Sequence, residues 1–174
     1  MPHYKAPVRD IKFVREELLQ ASEFFQQHTQ WQEVSSELAD AINEECAKFS
    51  ADVLQPLNSI GDSQGCTWKD GEVTTPDGFI NAYKQYVEGG WPAMEAPVEF
   101  GGQGLPKTLT IPINEMIGTA NWAWSMYPGL SQGSIHTIQD HGSDEQKATY
   151  LGKLVEGHWT GTMCLTEAHC GSDL

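Results

Sequence analysis

The stretch "SSELADAINEECAKFSADVLQPLNSIGD", residues 35–62, decides the fold class of this chain. Its apolar side chains recur every three or four residues, which is the spacing of one face of an α-helix. That face comprises Leu38, Ala41, Ile42, Cys46, Phe49 and Val53. Ser35 or Ser36 is a typical N-cap, Pro56 is expected to kink the helix, and Gly61 is expected to end it. The stretch predicts a long helix at the centre of a mainly α fold.

The sequence on either side continues the helical pattern, with one small exception. Upstream, residues 11–27 have apolar positions at interrupted helical spacing, which predicts a broken helix. Downstream, Asp70-Gly71 lies between short runs of threonine, valine and tryptophan, which is typical of a tight hairpin. Residues 75–90 then predict a capped helix. Its inward side chains are expected to be Phe79, Ile80, Tyr83, Tyr86 and Val87.

Three more helical stretches follow, with interruptions near Pro128 and at Gly142; they cover residues 105–127, 129–142 and 143–157. The last begins with Ser143 as N-cap and has Gln146 at the capping-box position. After Gly157 the pattern changes, and residues 158–167 predict a β-strand that leads into a loop able to hold a ligand. The change in composition predicts a domain boundary near residue 158.

Charge excludes several classes of partner. The chain has 24 acidic and 10 basic residues among its 174, for a net charge of -14. A surface of this sign repels nucleic acid and anionic membranes. No stretch of the sequence has the length and apolar character of a membrane span, and the amino terminus lacks the apolar core of a signal peptide.

The cysteines indicate a reducing compartment. Cys46, Cys66, Cys164 and Cys170 are too sparse for a secreted disulfide scaffold, and Cys46 lies in a helix like a buried thiol. We therefore expect a cytoplasmic protein.

Two sites that the sequence superficially suggests are not favoured. His158, Cys164, His169 and Cys170 are of the right type for zinc, but they form no paired C-x-x-C or H-x-x-x-H spacing. The glycines of "EFGGQG", residues 99–104, do not match a phosphate-binding fingerprint, and no buried strand precedes them. That loop is expected to be a backbone crossing with positive dihedral angles.

Three stretches together resemble the acyl-CoA dehydrogenase family. They are "WPAMEAPVEFGGQGLP" at residues 91–106, "HGSDEQKATYLGKLVEG" at 141–157 and "LTEAHCGSD" at 165–173. Their order and spacing match the family, and residues 1–34 resemble an extension found in one subgroup of longer members. The last stretch departs from the family's usual Thr-Glu-Pro-Gly-x-Gly-Ser-Asp, because it lacks the proline and the first glycine.

The resemblance implies a fold and a domain division. The chain is expected to consist of an amino-terminal extension at 1–34, the family's helical amino-terminal domain at 35–157, and the start of its β domain at 158–174. It also implies the cofactor FAD, an acyl-CoA substrate and an electron-transfer flavoprotein as acceptor. In the family a carboxylate of a later domain removes the α proton. No catalytic residue is therefore assigned within this chain, and the chain is expected to be inactive alone.

The resemblance also assigns candidate site residues. For the flavin these are Met163, Leu165, Thr166, Gly171 and Ser172. For the acyl group they are Ser172, Met126, Tyr127 and Leu130, whose bulk favours a short or unusual acyl chain. Without the resemblance, the flavin candidates would be interpreted as part of a plain strand and turn. Met126, Tyr127 and Leu130 would be interpreted as core packing in an aromatic-rich stretch.

An alternative function remains at this level: a self-contained acidic helical module that binds a protein partner. In either case, helices that pack on absent domains should leave apolar surface exposed. We therefore expect the 174-residue chain to self-associate.

Overall fold

A computed structural model describes residues 4–173 of the chain. The first three residues of the expected extension and the last residue of the expected β-domain start lie outside the described residues. The fold is mainly helical, as predicted. Among residues 4–173, no helix combines the length and apolar character needed to cross a bilayer. The α-helices are α1 (Val8–Phe13), α2 (Ala21–Gln26), α3 (Ser36–Lys48), α4 (Gln55–Gln64), α5 (Phe79–Glu88), α6 (Lys107–Ala120), α7 (Trp122–His141) and α8 (Asp144–Val155).

The amino-terminal segment is a broken helix, as predicted. A π-helical turn at Val14–Leu18 continues α1, and Gln20 then adopts a left-handed conformation with φ 50° before α2 begins. Such a conformation is uncommon for a residue that has a Cβ. It also lies outside the right-handed helical region, so the helix is interrupted at this residue. A short 3₁₀ turn at Thr29–Trp31 leads to the central helix.

The central helix runs without a full break from α3 through a π-helical segment at Phe49–Leu54 into α4. The Ser35 hydroxyl caps it by accepting a hydrogen bond from the Leu38 N–H at 3.2 Å. The π-helical segment ends just before Pro56, and wider turns of this kind accommodate a residue that lacks an N–H. The expected inward face is partly wrong, because Leu38 and Ala41 are exposed.

The predicted end of this helix at Gly61 is also wrong. The helix continues to Gln64 and ends at Gly65, where φ is +63°. Gly61 is needed for packing instead, since an added Cβ would lie 2.8 Å from the Phe79 ring. The missing side chain therefore reflects a close approach between α4 and α5.

A small hairpin follows, as predicted. Strands β1 (Thr67–Lys69) and β2 (Glu72–Thr74) pair antiparallel, with Trp68 opposite Val73. Asp70 and Gly71 both have positive φ, at 52° and 87°, as a type I′ turn requires.

The main core lies where α5, α6 and α7 meet the central helix. Trp124 is fully buried there, and its indole N–H donates to the Phe79 carbonyl at 3.2 Å. Cys46 is also buried as expected, and burial raises the pKa of its thiol to about 12. Ile80, which the helical pattern placed inward, is exposed. The hydrophobic part of this core comprises Ala6, Cys46, Leu54, Phe79, Ala82, Tyr86, Met94, Ile113, Met116, Ile117, Ala120 and Trp124.

Helix α7 differs from the prediction, which placed an interruption near Pro128. The helix runs through Pro128, and the break lies earlier, at Asn121 between α6 and α7. The Asn121 side chain accepts from the Trp124 N–H at 3.0 Å and donates to the Leu54 carbonyl at 3.2 Å. Buried packing around this cap therefore outweighs the local cost of a proline inside the helix.

Candidate functional site

The candidate flavin segment leaves the helical domain after α8 and crosses α7. Gly157, with φ +72°, turns the chain, and its carbonyl accepts a hydrogen bond from the Tyr83 hydroxyl at 3.2 Å. Farther along, the Gly161 N–H donates to the Ser131 hydroxyl at 3.1 Å. A Cβ at Gly161 would lie 1.9 Å from the Ser134 Oγ. The segment is therefore anchored to α7 at a point where only glycine fits.

The strand expected at residues 158–167 is not formed in the part of the chain that the structure describes. This part of the sequence pattern was misleading because a β-strand exists only through hydrogen bonds to a neighbouring strand. Within residues 4–173, the hairpin β1-β2 is the only sheet. The side chains of Met163 and Leu165 are accordingly exposed, at 61% and 49%.

The loop that follows brings two of the five candidate flavin residues together. A turn forms in which the Glu167 N–H donates to the Cys170 carbonyl at 2.8 Å. This turn folds Gly171 back against Thr166, so that a Cβ at Gly171 would lie 3.3 Å from the Thr166 Cγ2. Thr166 and Ser172 are both exposed. The loop presents polar groups and open backbone, which suits the polar edge of a flavin ring.

The candidate acyl residues line two different cavities on α7. Met126 and Leu130 line a cavity of about 390 Å³ that Trp122 and Ile117 also border. Tyr127 lines a second cavity of about 280 Å³. The structure therefore groups Met126 with Leu130 and separates Tyr127 from them. Ser172 lines neither cavity.

The second cavity contains residues that sequence reasoning missed. Ile80 and Thr160 line it together with Tyr127, and the Thr75 hydroxyl on its wall is buried with no hydrogen-bond partner among the described residues. Burial and the neighbouring Cys66 thiol raise the pKa of Tyr127. No local signal marked this cavity, because the helical pattern placed Ile80 inward and the other lining residues come from separate stretches of sequence.

A polar cluster joins the loop at residues 91–106 to α6 and α7. The Thr110 hydroxyl donates to Glu95 Oε1, and His136 Nε2 lies 3.0 Å from Glu95 Oε2. The His136 side chain is part-exposed and pairs with Glu95. The cluster fixes the loop by polar contacts within the helical domain. Glu95 was the available signal, because it stands between the buried apolar residues Met94 and Ala96.

A wide open groove was also not marked by any motif. It has a volume of about 710 Å³ and lies between the central helix, α5 and the loop after α5. Its floor includes Phe49, Trp91 and Met94, and charged residues stand at its edge. Since its walls come from separate stretches of sequence, only the fold brings them together.

The residues considered for zinc do not form a site in the structure. Among residues 4–173, no three or more His, Cys, Asp or Glu side chains are placed to hold a metal ion. The glycine loop has the expected positive dihedral angles at Gly101 and Gly104. A Cβ at Gly102 would lie 1.9 Å from the Ala96 carbonyl oxygen, so the backbone crosses itself closely there, as predicted.

Comparison with known proteins agrees with this geometry. The model of the acyl-CoA dehydrogenase amino-terminal domain matches residues 36–158. The 3-methylmercaptopropionyl-CoA dehydrogenase of Ruegeria pomeroyi is 41% identical over 171 residues, which are 98% of this chain and 29% of that protein. A butyryl-CoA dehydrogenase of Syntrophomonas wolfei is 32% identical over 175 residues, covering 99% of this chain and 28% of its own length.

A more distant relative matches a shorter part of the chain. The mitochondrial isovaleryl-CoA dehydrogenase of Pongo abelii is 29% identical over 143 residues, which are 80% of this chain and 31% of that protein. The chain thus spans less than a third of the length of each of these relatives. With its helical fold and a family match over most of its length, the chain belongs to the acyl-CoA dehydrogenase family and corresponds to the amino-terminal domain.

Proposed function

We propose that this chain is the amino-terminal part of a flavin-dependent enzyme that oxidises an acyl-CoA thioester to its α,β-unsaturated product. The observation that carries the proposal is the exposed loop in which Gly171 folds against Thr166, anchored to α7 through Gly161. The family match supports the reaction class. The share of the relatives that the chain spans supports its being one part of a longer enzyme.

FAD is the proposed cofactor, and it supplies hydride acceptance from the β carbon when bound. In this chain Thr166 and Ser172 offer hydroxyl groups, and Gly171 lets the backbone approach a planar ring because it has no side chain. Met163 and Leu165 offer apolar contact, since both side chains are exposed beside the loop. These five residues hold one side of the ring, and the remaining contacts come from polypeptide beyond this chain.

The proposed substrate is a short acyl-CoA. The cavity lined by Met126 and Leu130 has a volume of about 390 Å³, and the bulky Trp122 borders it. That size and bulk favour a short or branched acyl group over a long straight one. Two of the relatives are named for short substrates, 3-methylmercaptopropionyl-CoA and butyryl-CoA. Tyr127 is proposed to contact the acyl group only if the two cavities on α7 join in the complete protein.

Four further properties belong to the proposal. The 174-residue chain alone is inactive, because the family's catalytic carboxylate lies in a later domain. The full-length enzyme passes its electrons to an electron-transfer flavoprotein. It acts in the cytoplasm. The isolated chain self-associates through exposed apolar side chains, among them Trp122, Met126 and Met163.

The test compares the full-length protein with the 174-residue chain. Purified full-length protein is expected to contain FAD by its visible absorbance, to lose that absorbance with butyryl-CoA and to reduce an electron-transfer flavoprotein. A long-chain acyl-CoA should be a poorer substrate. The isolated chain should show no acyl-CoA-dependent dye reduction, and light scattering should find it larger than a monomer.

A matched pair of glycine variants tests the flavin loop itself. Gly171→Ala in the full-length protein is expected to lower the FAD content, since the added Cβ crowds Thr166 and the approach of the ring. Gly152→Ala, where a Cβ meets nothing within 4 Å, should leave FAD content unchanged. A colourless wild-type protein would contradict the proposal and favour the alternative of an acidic interaction module.

A further inference from the structure

The amino-terminal segment carries an apolar face that no described residue covers. We define this amino-terminal apolar face by five side chains, each more than two-fifths exposed: Phe13, Val14, Leu18, Leu19 and Ile111. Leu18 is 66% exposed. Val14, Leu19 and Ile111 also line a cavity of about 290 Å³. Several exposed apolar side chains close to one cavity are typical of a contact surface.

A buried arginine with two ion-pair partners lies in the turn that carries this face. The π-helical turn bonds the Leu19 N–H to the Val14 carbonyl at 3.0 Å. In the same turn, Arg15 is 5% exposed, and its guanidinium lies 2.6 Å from both Asp40 and Glu16. Because charge-assisted hydrogen bonds to two carboxylates are strong, Arg15 holds the turn in the conformation that leaves Leu18 and Leu19 exposed.

One atom at this face lacks a partner. The Arg15 Nη1 is buried, and the described residues offer it no hydrogen-bond acceptor, although Arg15 borders the cavity. Asp10 and Glu115 also line the cavity, so a further carboxylate there would be repelled. An apolar surface that presents a neutral carbonyl oxygen fits both the cavity and the unpaired nitrogen.

The relatives indicate what supplies that surface. The family domain begins at residue 36, so most of this face precedes it. In the two relatives that match nearly the whole chain, the matched 171 and 175 residues are 29% and 28% of the protein. Both relatives are therefore about 600 residues long. In the isovaleryl-CoA dehydrogenase, 143 residues are 31% of the protein, so it is about 460 residues long, and it matches 80% of this chain.

The difference in length between these relatives, roughly 130 residues, is several times larger than the 35 residues before the family domain. The two relatives that match nearly the whole chain thus carry additional polypeptide that the 35 residues before the family domain cannot account for. We propose that the amino-terminal apolar face is a docking site for this additional segment of the full-length protein. The inference rests on the proposed function only in taking the chain as part of a longer enzyme.

The first measurement is the reactivity of a cysteine placed on the face. In the full-length protein, Leu18→Cys is expected to react with a maleimide at least tenfold more slowly in the native than in the unfolded state. Leu38→Cys, at an exposed leucine of α3, reports how fast an uncovered position reacts. Peptide mapping separates these sites from the native cysteines. A native rate at position 18 within about threefold of the unfolded rate overturns the proposal.

The second measurement identifies the occupant. A photo-crosslinking amino acid at position 18 is expected to join a peptide from the additional segment, in the same chain or in a second protomer. A crosslink to position 18 of another copy, to a different protein, or to the part shared with the shorter relatives overturns the proposal. FAD content and acyl-CoA reduction, measured on the same samples, report separately on the proposed function.

Discussion

The core around Trp124 and the terminal segment at residues 158–173 are held in opposite ways. Trp124 is fully buried, bonded to the Phe79 carbonyl, and surrounded by side chains of α5, α6 and the central helix. The terminal segment instead touches α7 at Gly161, makes one turn at Glu167 and exposes most of its side chains. The core is packed by side chains of this chain, whereas the terminal segment provides only one side of the candidate flavin site.

The largest expected effect is a loss of stability in the core around Trp124. Trp124→Ala removes a fully buried indole and leaves both a cavity and an unpaired Phe79 carbonyl. It should lower the free energy of unfolding by about 3–5 kcal/mol, measured by urea denaturation. Trp122→Ala is the control, because Trp122 is 69% exposed, and it should cost less than about 1 kcal/mol. Equal losses in the two variants would contradict the assignment of the core.

The second prediction tests whether the amino-terminal segment is held firmly, like the core around Trp124, or loosely, like the terminal segment. Burial would raise the pKa of Asp40, but hydrogen bonds from Lys12 and Arg15 outweigh it and lower that pKa. Asp40→Asn leaves the buried Arg15 with one carboxylate partner fewer, which should cost about 1–3 kcal/mol at neutral pH. If the cost is near zero, the segment resembles the loosely held terminus.

The pH dependence of stability tests the ion pair of Asp40 and Arg15 independently. A carboxyl group whose pKa is lowered by folding stabilises the protein above its unfolded pKa, near 4, and loses that contribution as the pH falls through the folded pKa. Wild-type stability should therefore fall below about pH 4, and Asp40→Asn should flatten that part of the profile. An acid profile that stays as steep in Asp40→Asn as in the wild type would contradict this role of the ion pair.

The sequence predicted those features that depend on a few neighbouring residues. The Ser143–Gln146 capping box forms with both reciprocal hydrogen bonds, at 2.8 and 3.3 Å. The Asp70-Gly71 turn and the Ser35 cap are likewise local, and both are present. Each of these features depends on residues within four positions of one another, so a short stretch of sequence was enough to predict it.

The features that the sequence did not predict depend on distant contacts. Helix α7 passes through Pro128 because Asn121 caps it against the Leu54 carbonyl, 67 residues away in sequence. The expected terminal strand is missing because pairing partners, not β-propensity, make a strand. Of the candidate site, the sequence pointed to Thr166 and Gly171, which meet, but it could not show that Tyr127 and Met126 face different cavities.

The third prediction concerns the anchor of the terminal segment. Gly161→Ala places a Cβ against Ser134 and should release the segment from α7 while the core stays folded. Because residues 158–173 contribute few buried side chains, the free energy of unfolding should change by less than about 1 kcal/mol. Cleavage within the segment by a dilute protease should become about tenfold faster. Global unfolding of the variant would show that the segment belongs to the core.

The smallest expected effect lies on α7, where the core and the candidate site share one helix. Gly129 and Gly133 are both exposed helical glycines at which a Cβ meets nothing within 4 Å. Replacing either with alanine should raise the free energy of unfolding by about 0.5–1 kcal/mol, because alanine restricts the unfolded chain and favours the helix. Gly129, unlike Gly133, also lines the cavity of Met126 and Leu130. In the full-length enzyme, Gly129→Ala should therefore raise the KM for butyryl-CoA, whereas Gly133→Ala should stabilise the protein to the same extent with KM unchanged; equal KM values would remove this cavity from the acyl site.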